Sequence, residues 1–66
     1  MYNEDGIEEV VAILMRREQL SREDALDWVE EALEMVEDAI AVGEDAESVW
    51  EDEVGLEPDY LFNILA

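Results

Sequence analysis

The fold is decided by residues 25–45, which read ALDWVEE, ALEMVED and AIAVGED when they are written in sevens. A seven-residue repeat of apolar positions is typical of an α-helix that packs along its whole length. At about 100° per residue, one stripe of small side chains runs down this helix: Ala25, Ala32 and Ala39. Val29 and Val36 lie beside the stripe, so the pattern predicts a long helix with a deeply buried face.

Large apolar side chains flank the Ala stripe on both sides. One flank consists of Leu26, Leu33 and Ile40. The other consists of Trp28, Met35 and Val42. The apolar arc is about 200° wide, which exceeds the stripe of an ordinary surface helix, so this helix must contact neighbours on two sides. It lies either between the first helix and the two helices that follow, or with its Trp28, Met35 and Val42 flank against a second copy in a homodimer.

Start and stop signals predict a helix before the repeat and mark the ends of the repeat helix. The first helix has an N-cap at Asn3 or Asp5. Its apolar residues recur at spacings of three and four: Ile7, Val10, Val11, Leu14 and Met15. The second helix begins after Ser21 and ends near Val42, because Gly43 suits a C-terminal cap.

Two shorter helices are predicted to follow. Asp45 can cap a third helix over residues 46–54, which Gly55 ends. Pro58 suits a first helical position and begins a fourth helix that runs through Leu65. No segment alternates with the period of two that a strand requires. The predicted fold class is all-α, a small helical bundle of three main helices plus a short C-terminal helix, formed by the whole chain as a single domain.

Composition excludes several classes of function. The 66 residues carry 21 acidic side chains against three basic ones, all Arg, which gives a formal net charge of −18. His and Cys are absent, so the commonest general base, the usual transition-metal ligands and disulfides are missing. No basic patch is available for direct binding of nucleic acid or of a membrane. We expect a protein that is not an enzyme, holds no cofactor or metal ion, and acts by binding.

Carboxylates occupy the side of the second helix that faces away from the Ala stripe. Beginning with Glu23 and Asp24, they follow one another at roughly one charge per 3 Å of helix. A single nucleic-acid strand carries about one charge per 3.4 Å. We predict that a basic protein surface binds this arc through the following residues: Asp27, Glu30, Glu31, Glu34, Glu37 and Asp38.

Three explanations of the acidity remain open. The first is recognition of a basic partner, including mimicry of nucleic acid that inhibits a DNA- or RNA-binding protein. The second is adaptation to a high-salt cytoplasm, where excess acid and few Lys keep proteins soluble. The third is that the charge only keeps a helical oligomer soluble. The first is our main hypothesis, and a salt-adapted helical interaction or oligomerisation module is the alternative.

Two further features are candidates for binding. Trp50 lies among acids in the third helix and is either a core residue or an exposed anchor for the partner. Arg16, Arg17 and Arg22 hold all the positive charge of the chain. We expect them to neutralise acids of the same chain or of a second copy, or alternatively to bind a phosphate or a carboxylate.

The segments LMRR at residues 14–17, LSREDA at 20–25 and GLEPDY at 55–60 resemble small acidic proteins encoded by bacterial phages and related mobile elements. The likeness covers most of the chain in order, and it rests on helix caps and turns rather than on chemistry. It implies an accessory protein that binds host or phage factors, including DNA-handling and defence proteins. The start, MYNED, lacks the basic region of a secretory signal, so we expect a location in the cytoplasm, or in the host cytoplasm for a phage protein.

Overall fold

A computed structural model describes residues 2–66, which contain four α-helices joined by short loops. They are α1 (Glu4–Glu18), α2 (Arg22–Val42), α3 (Ala46–Val54) and α4 (Pro58–Leu65). Residues 2–66 contain no strand, so the all-α prediction is confirmed. α1 and α2 have 15 and 21 residues, whereas α3 and α4 have 9 and 8. By length, the bundle therefore has two long and two short helices.

Polar caps begin and end the helices close to the predicted positions. Asn3, rather than Asp5, caps α1, and its side-chain oxygen accepts a hydrogen bond from the Asp5 amide at 3.0 Å. The Ser21 hydroxyl accepts a hydrogen bond from the Asp24 amide at 3.1 Å and begins α2. α2 ends at Gly43, whose φ of 79° is a left-handed conformation that glycine adopts at little cost.

Asp45 caps α3 with a carboxylate whose pKa is lowered. It accepts a hydrogen bond from the Ser48 hydroxyl at 2.9 Å and bonds from the backbone amides of Glu47 and Ser48 at 3.1 and 3.4 Å. Hydrogen bonds to a carboxylate stabilise its charged form. The pKa of Asp45 therefore lies below its ordinary value, and the bond from the Ser48 hydroxyl is the largest cause.

The lowered pKa predicts an acid-sensitive cap. Because the pKa of Asp45 is lower in the folded state, the ionised cap stabilises the fold. This contribution to the free energy of unfolding is complete above the unfolded-state pKa. It is lost as the pH falls through the folded-state pKa. Asp45→Asn keeps a capping oxygen and does not titrate. In about 0.5 M NaCl, which screens repulsion, we expect the Tm advantage of the wild type over this variant to shrink below about pH 4. A Tm difference between the two proteins that is the same above and below about pH 4 would contradict the prediction.

α2 spans the molecule, and the other helices form a ring with it. Its 21 residues extend about 31 Å, and the longest dimension of the molecule is 33 Å. α1 and α3 pack against α2, and α4 closes the ring by packing against α1 and α3. No Cα atom of α4 lies within 8 Å of one in α2. The expectation that α2 lies between α1 and the helices that follow is confirmed for α1 and α3, whereas α4 joins the same core cluster through its buried Leu61 and Ile64.

The repeat of α2 forms one wall of the hydrophobic core. Its Ala stripe is at most 5% exposed, and Val29 and Val36 are at most 1% exposed. The other three helices supply the remaining fully buried side chains: Val10, Val11, Leu14, Trp50, Val54, Leu61 and Ile64. The prediction of a deeply buried face on the repeat helix is confirmed.

α1 and α4 meet where Gly6 passes the last turn of α4. The Asn3 amide donates a hydrogen bond to the Ile64 carbonyl at 2.6 Å. A Cβ atom on Gly6 would lie 2.8 Å from the Asn63 carbonyl oxygen and 2.9 Å from the Ile64 nitrogen. Glycine is needed at position 6 because the two backbones approach so closely.

Candidate functional site

The acidic face of α2 consists of eight carboxylates that are all exposed. Its members are Glu23, Asp24, Asp27, Glu30, Glu31, Glu34, Glu37 and Asp38. The buried Ala and Val residues hold the opposite side of α2 in the core, so the carboxylates are held on the outer surface of a helix that cannot rotate. The six predicted partner-binding acids thus lie along one exposed side of a single helix.

The positive charge of the chain is directed to α1 rather than to the acidic face. Arg22 pairs with Glu8 of α1, and Arg17 pairs at 2.8 Å with the residue that follows it. The Tyr2 hydroxyl, which lies before α1, donates a hydrogen bond to Glu37 of the acidic face. No Arg of residues 2–66 forms a salt bridge with the acidic face. The eight carboxylates of the acidic face are therefore not paired with any cation of residues 2–66.

Among the three Arg residues, Arg17 has a second contact that the other two lack within residues 2–66. Its guanidinium carbon lies 5.9 Å from the ring centroid of Trp28, within the range of a cation–π interaction. Arg16 is exposed and forms no salt bridge in residues 2–66. The expectation that the cluster neutralises acids of its own chain agrees with the pairs that Arg17 and Arg22 form.

Arg17→Ala is expected to lower the free energy of unfolding by about 1 kcal/mol, because it removes the cation–π contact with Trp28 and the salt bridge to Glu18. Arg16→Ala removes the same charge without these contacts and is expected to change stability by less than about 0.5 kcal/mol. Equilibrium unfolding in urea measures both variants. Equal losses would mean that only the charge matters and that the contact with Trp28 contributes nothing.

Trp50 does not lie at the surface. Its side chain is 0% exposed, and its indole Nε1 donates a hydrogen bond to the Glu57 carbonyl at 3.1 Å. A partner cannot reach a side chain that the core encloses. The prediction of Trp50 as a partner-binding anchor is therefore wrong, and its alternative as a core residue is confirmed.

The flank predicted to join a second copy is divided by α3 into a covered and an uncovered part. Trp28 is partly buried, and its Nε1 donates a hydrogen bond to the Glu53 carbonyl at 2.7 Å. Trp28 therefore packs against α3 and Arg17 of its own chain, and its place in an interface between copies stays a prediction. Met35 and Val42, one and two repeats later, are 42% and 68% exposed.

A shallow groove that sequence reasoning missed lies between the end of α2 and the beginning of α3. Its apolar residues are Met35, Ala39, Val42 and Val49. Asp38 and Glu44 lie at its rim. A signal for it was present in the helix lengths, because the nine residues of α3 extend about 14 Å and cover less than half of α2.

The described residues offer no enclosed site for a metal ion. Glu31, Glu34 and Glu37 follow each other at three-residue spacing, yet no three carboxylates of residues 2–66 are gathered closely enough to hold a cation. None of the helices in this range is both long and apolar enough to cross a bilayer.

The acidic face combines a regular charge spacing with a lack of salt bridges within the described chain. Comparisons of the chain with protein-family models, with curated proteins and with solved structures find no match.

Proposed function

We propose that this protein is a non-enzymatic binding protein whose acidic face receives the basic surface of a partner protein. The observation that carries the proposal is the row of eight exposed carboxylates that pair with no Arg of the described chain. A field of one sign accelerates the encounter with a partner of the opposite sign and disfavours other partners. The acidic face thus supplies both speed and selectivity of association.

Solvation alone does not account for this pattern. Along α2, like charges recur three and four residues apart, as in Asp27, Glu30, Glu31 and Glu34. Each such pair destabilises a helix by a few tenths of a kcal/mol, whereas alternating Glu and Lys would stabilise it by a similar amount. A basic partner removes this repulsion when it binds, and that relief favours the complex.

The concrete form that we propose is mimicry of nucleic acid. The acidic face carries roughly one charge per 3 Å of helix, close to the spacing of about 3.4 Å along a single strand. The partner class is therefore a protein with a Lys- and Arg-rich groove for DNA or RNA, which the acidic face occupies and inhibits. We further propose that the protein serves a phage or mobile element as an accessory protein.

A charge-matched pair of variants tests the proposal. The first neutralises three acids of the acidic face, with Asp27→Asn, Glu30→Gln and Glu34→Gln together. We expect this variant to bind a fluorescent oligo-arginine peptide roughly five- to tenfold more weakly at about 50 mM NaCl. Its affinity should also fall less steeply between about 50 and 200 mM NaCl, because fewer charge pairs form.

The control neutralises three acids outside α2, with Glu9→Gln, Glu57→Gln and Asp59→Asn together. Both variants lose three negative charges, so net charge alone cannot distinguish them. We expect the control to bind like the wild type within about twofold, since its carboxylates lie outside the acidic face. Equal weakening of both variants, or no binding by the wild type at low salt, would refute the proposal.

The second candidate is a salt-adapted helical interaction or oligomerisation module whose binding surface is apolar. The exposure of Met35, Ile40 and Val42, at 42%, 58% and 68%, favours it, together with the absence of Lys. Under this alternative the charge serves solubility, and the helices form only when salt screens repulsion. Far-UV circular dichroism distinguishes the two: a helical spectrum at low salt supports the first candidate, and helix formation only in molar KCl supports the second.

A further inference from the structure

The flank of α2 formed by Trp28, Met35 and Val42 becomes more exposed to solvent from one repeat to the next. Trp28 is partly buried under α3, Met35 is 42% exposed, and Val42 is 68% exposed. Ala39, which lies between the last two, remains only 5% exposed and forms the floor of the groove at this end. The apolar groove therefore lies where α2 extends beyond the part that α3 covers.

The charges around this groove are all of one sign. Asp38 and Glu44 line it, and Asp38 is also the last carboxylate of the acidic face. The groove is thus continuous with the surface that we propose to bind a basic partner. An occupant of the whole region must be apolar where it meets Met35 and Val42 and positively charged where it meets the acids.

We propose that the groove receives the apolar side of a basic amphipathic helix from the partner, while Lys and Arg of that helix contact the acidic face. This inference rests on the proposed function and adds the structural class of the partner segment. Met35 and Val42 are seven residues and about 10 Å apart, which matches anchors spaced by two turns on a second helix. The flexible thioether of Met35 allows the groove to fit different apolar anchors.

Charge argues against a second copy of this chain as the occupant. A second copy would bring its own net charge of −18 and place further carboxylates near Asp38 and Glu44. Like charges in close contact oppose association, whereas a cationic helix neutralises the same residues. The complementary occupant is therefore basic, and the dimer becomes a testable outcome.

Two synthetic helical peptides test this inference. Both carry the same number of Lys and Arg residues, but one has Leu at every third or fourth position and the other has Gln there. We expect the wild type to bind the Leu peptide at least roughly tenfold more tightly, because its apolar anchors are transferred from water into the groove. Fluorescence anisotropy with labelled peptides measures both affinities.

Substitutions of exposed apolar residues test whether the groove causes the preference for the Leu peptide. We expect Met35→Gln with Val42→Gln to lose the preference for the Leu peptide and to bind the Gln peptide with unchanged affinity and salt dependence. Phe62→Gln is the matched control, because Phe62 is 48% exposed on α4 and lies outside the groove. It should keep the wild-type preference. Circular dichroism of each variant verifies that the helices are retained.

The outcomes separate this inference from the proposed function. Equal binding of the two peptides by the wild type overturns the groove and leaves the acidic face standing. A preference for the Leu peptide that survives both groove substitutions also overturns the groove. No binding of either peptide at low salt overturns both proposals. A wild-type dimer in sedimentation that the Met35 and Val42 substitutions convert to a monomer assigns the groove to a second copy and overturns the helical partner.

Discussion

Replacing Trp50 by Ala is expected to leave the protein largely unfolded near room temperature. Trp50 is the largest of the fully buried side chains and belongs to the single core cluster that all four helices share. Truncation of a buried Trp costs about 3–5 kcal/mol, and the single core of a domain this small rarely supplies more than about 3–5 kcal/mol of stability. Loss of the indole donor also removes the hydrogen bond to the Glu57 carbonyl. Far-UV circular dichroism and urea unfolding measure the loss.

Two variants locate the cause of this effect. Phe62→Ala removes an aromatic side chain that is 48% exposed, and we expect a change within about 1 kcal/mol. Trp50→Phe keeps an aromatic ring in the core but removes the donor to Glu57, so an intermediate loss is expected. If Trp50→Ala melted like the wild type, Trp50 would not occupy the core.

Gly6→Ala is expected to destabilise the protein by about 2 kcal/mol, although the same change within a helix ordinarily stabilises it by up to about 1 kcal/mol. The reason is the backbone of α4, whose Asn63 oxygen and Ile64 nitrogen would lie 2.8 and 2.9 Å from the new Cβ. Backbone atoms cannot swing aside as the end of a side chain can. A shift of α4 would also break the hydrogen bond from Asn3 to Ile64 and loosen the core.

Gly43→Ala is the control for this prediction. A Cβ on Gly43 meets no atom of residues 2–66 within 4 Å, so its cost arises only from the positive φ of 79°. We expect a loss of about 1–2 kcal/mol from that conformation alone. Urea unfolding of both variants gives the comparison. A Gly6→Ala protein that is more stable than the wild type would show that α1 and α4 do not approach each other as closely as described.

The ends of the helices could be predicted because capping is local. Ser21, Asp45 and Pro58 begin α2, α3 and α4 through bonds or ring geometry that involve only the next few residues. Gly43 ends α2 for the same kind of reason. The end of α1 was less visible, since Gln19 adopts a φ of 56° without being a glycine. Its amide bonds to the Met15 carbonyl and completes the cap.

The candidate site could be predicted only in part. The acidic side of α2 follows from the helical period, which places residues three, four and seven apart on one side. The two Trp residues did not follow from any local pattern. Trp50 is enclosed by the core and Trp28 is covered by α3, because the path of α3 along α2 decides which flank is shielded.

By itself, the sequence determined four helices and a continuous row of negative charge, because both depend on residues within about two helical turns of one another. Only the tertiary structure decided that the backbone of α4 packs beside α1 and α3, that Gly6 must lack a side chain, and that the groove at Met35 stays open. These features depend on contacts between distant parts of the chain, such as Gly6 with Asn63. The repeat that begins at residue 25 thus specifies which face of α2 is buried, and the lengths and paths of the other helices determine how far along α2 that burial extends.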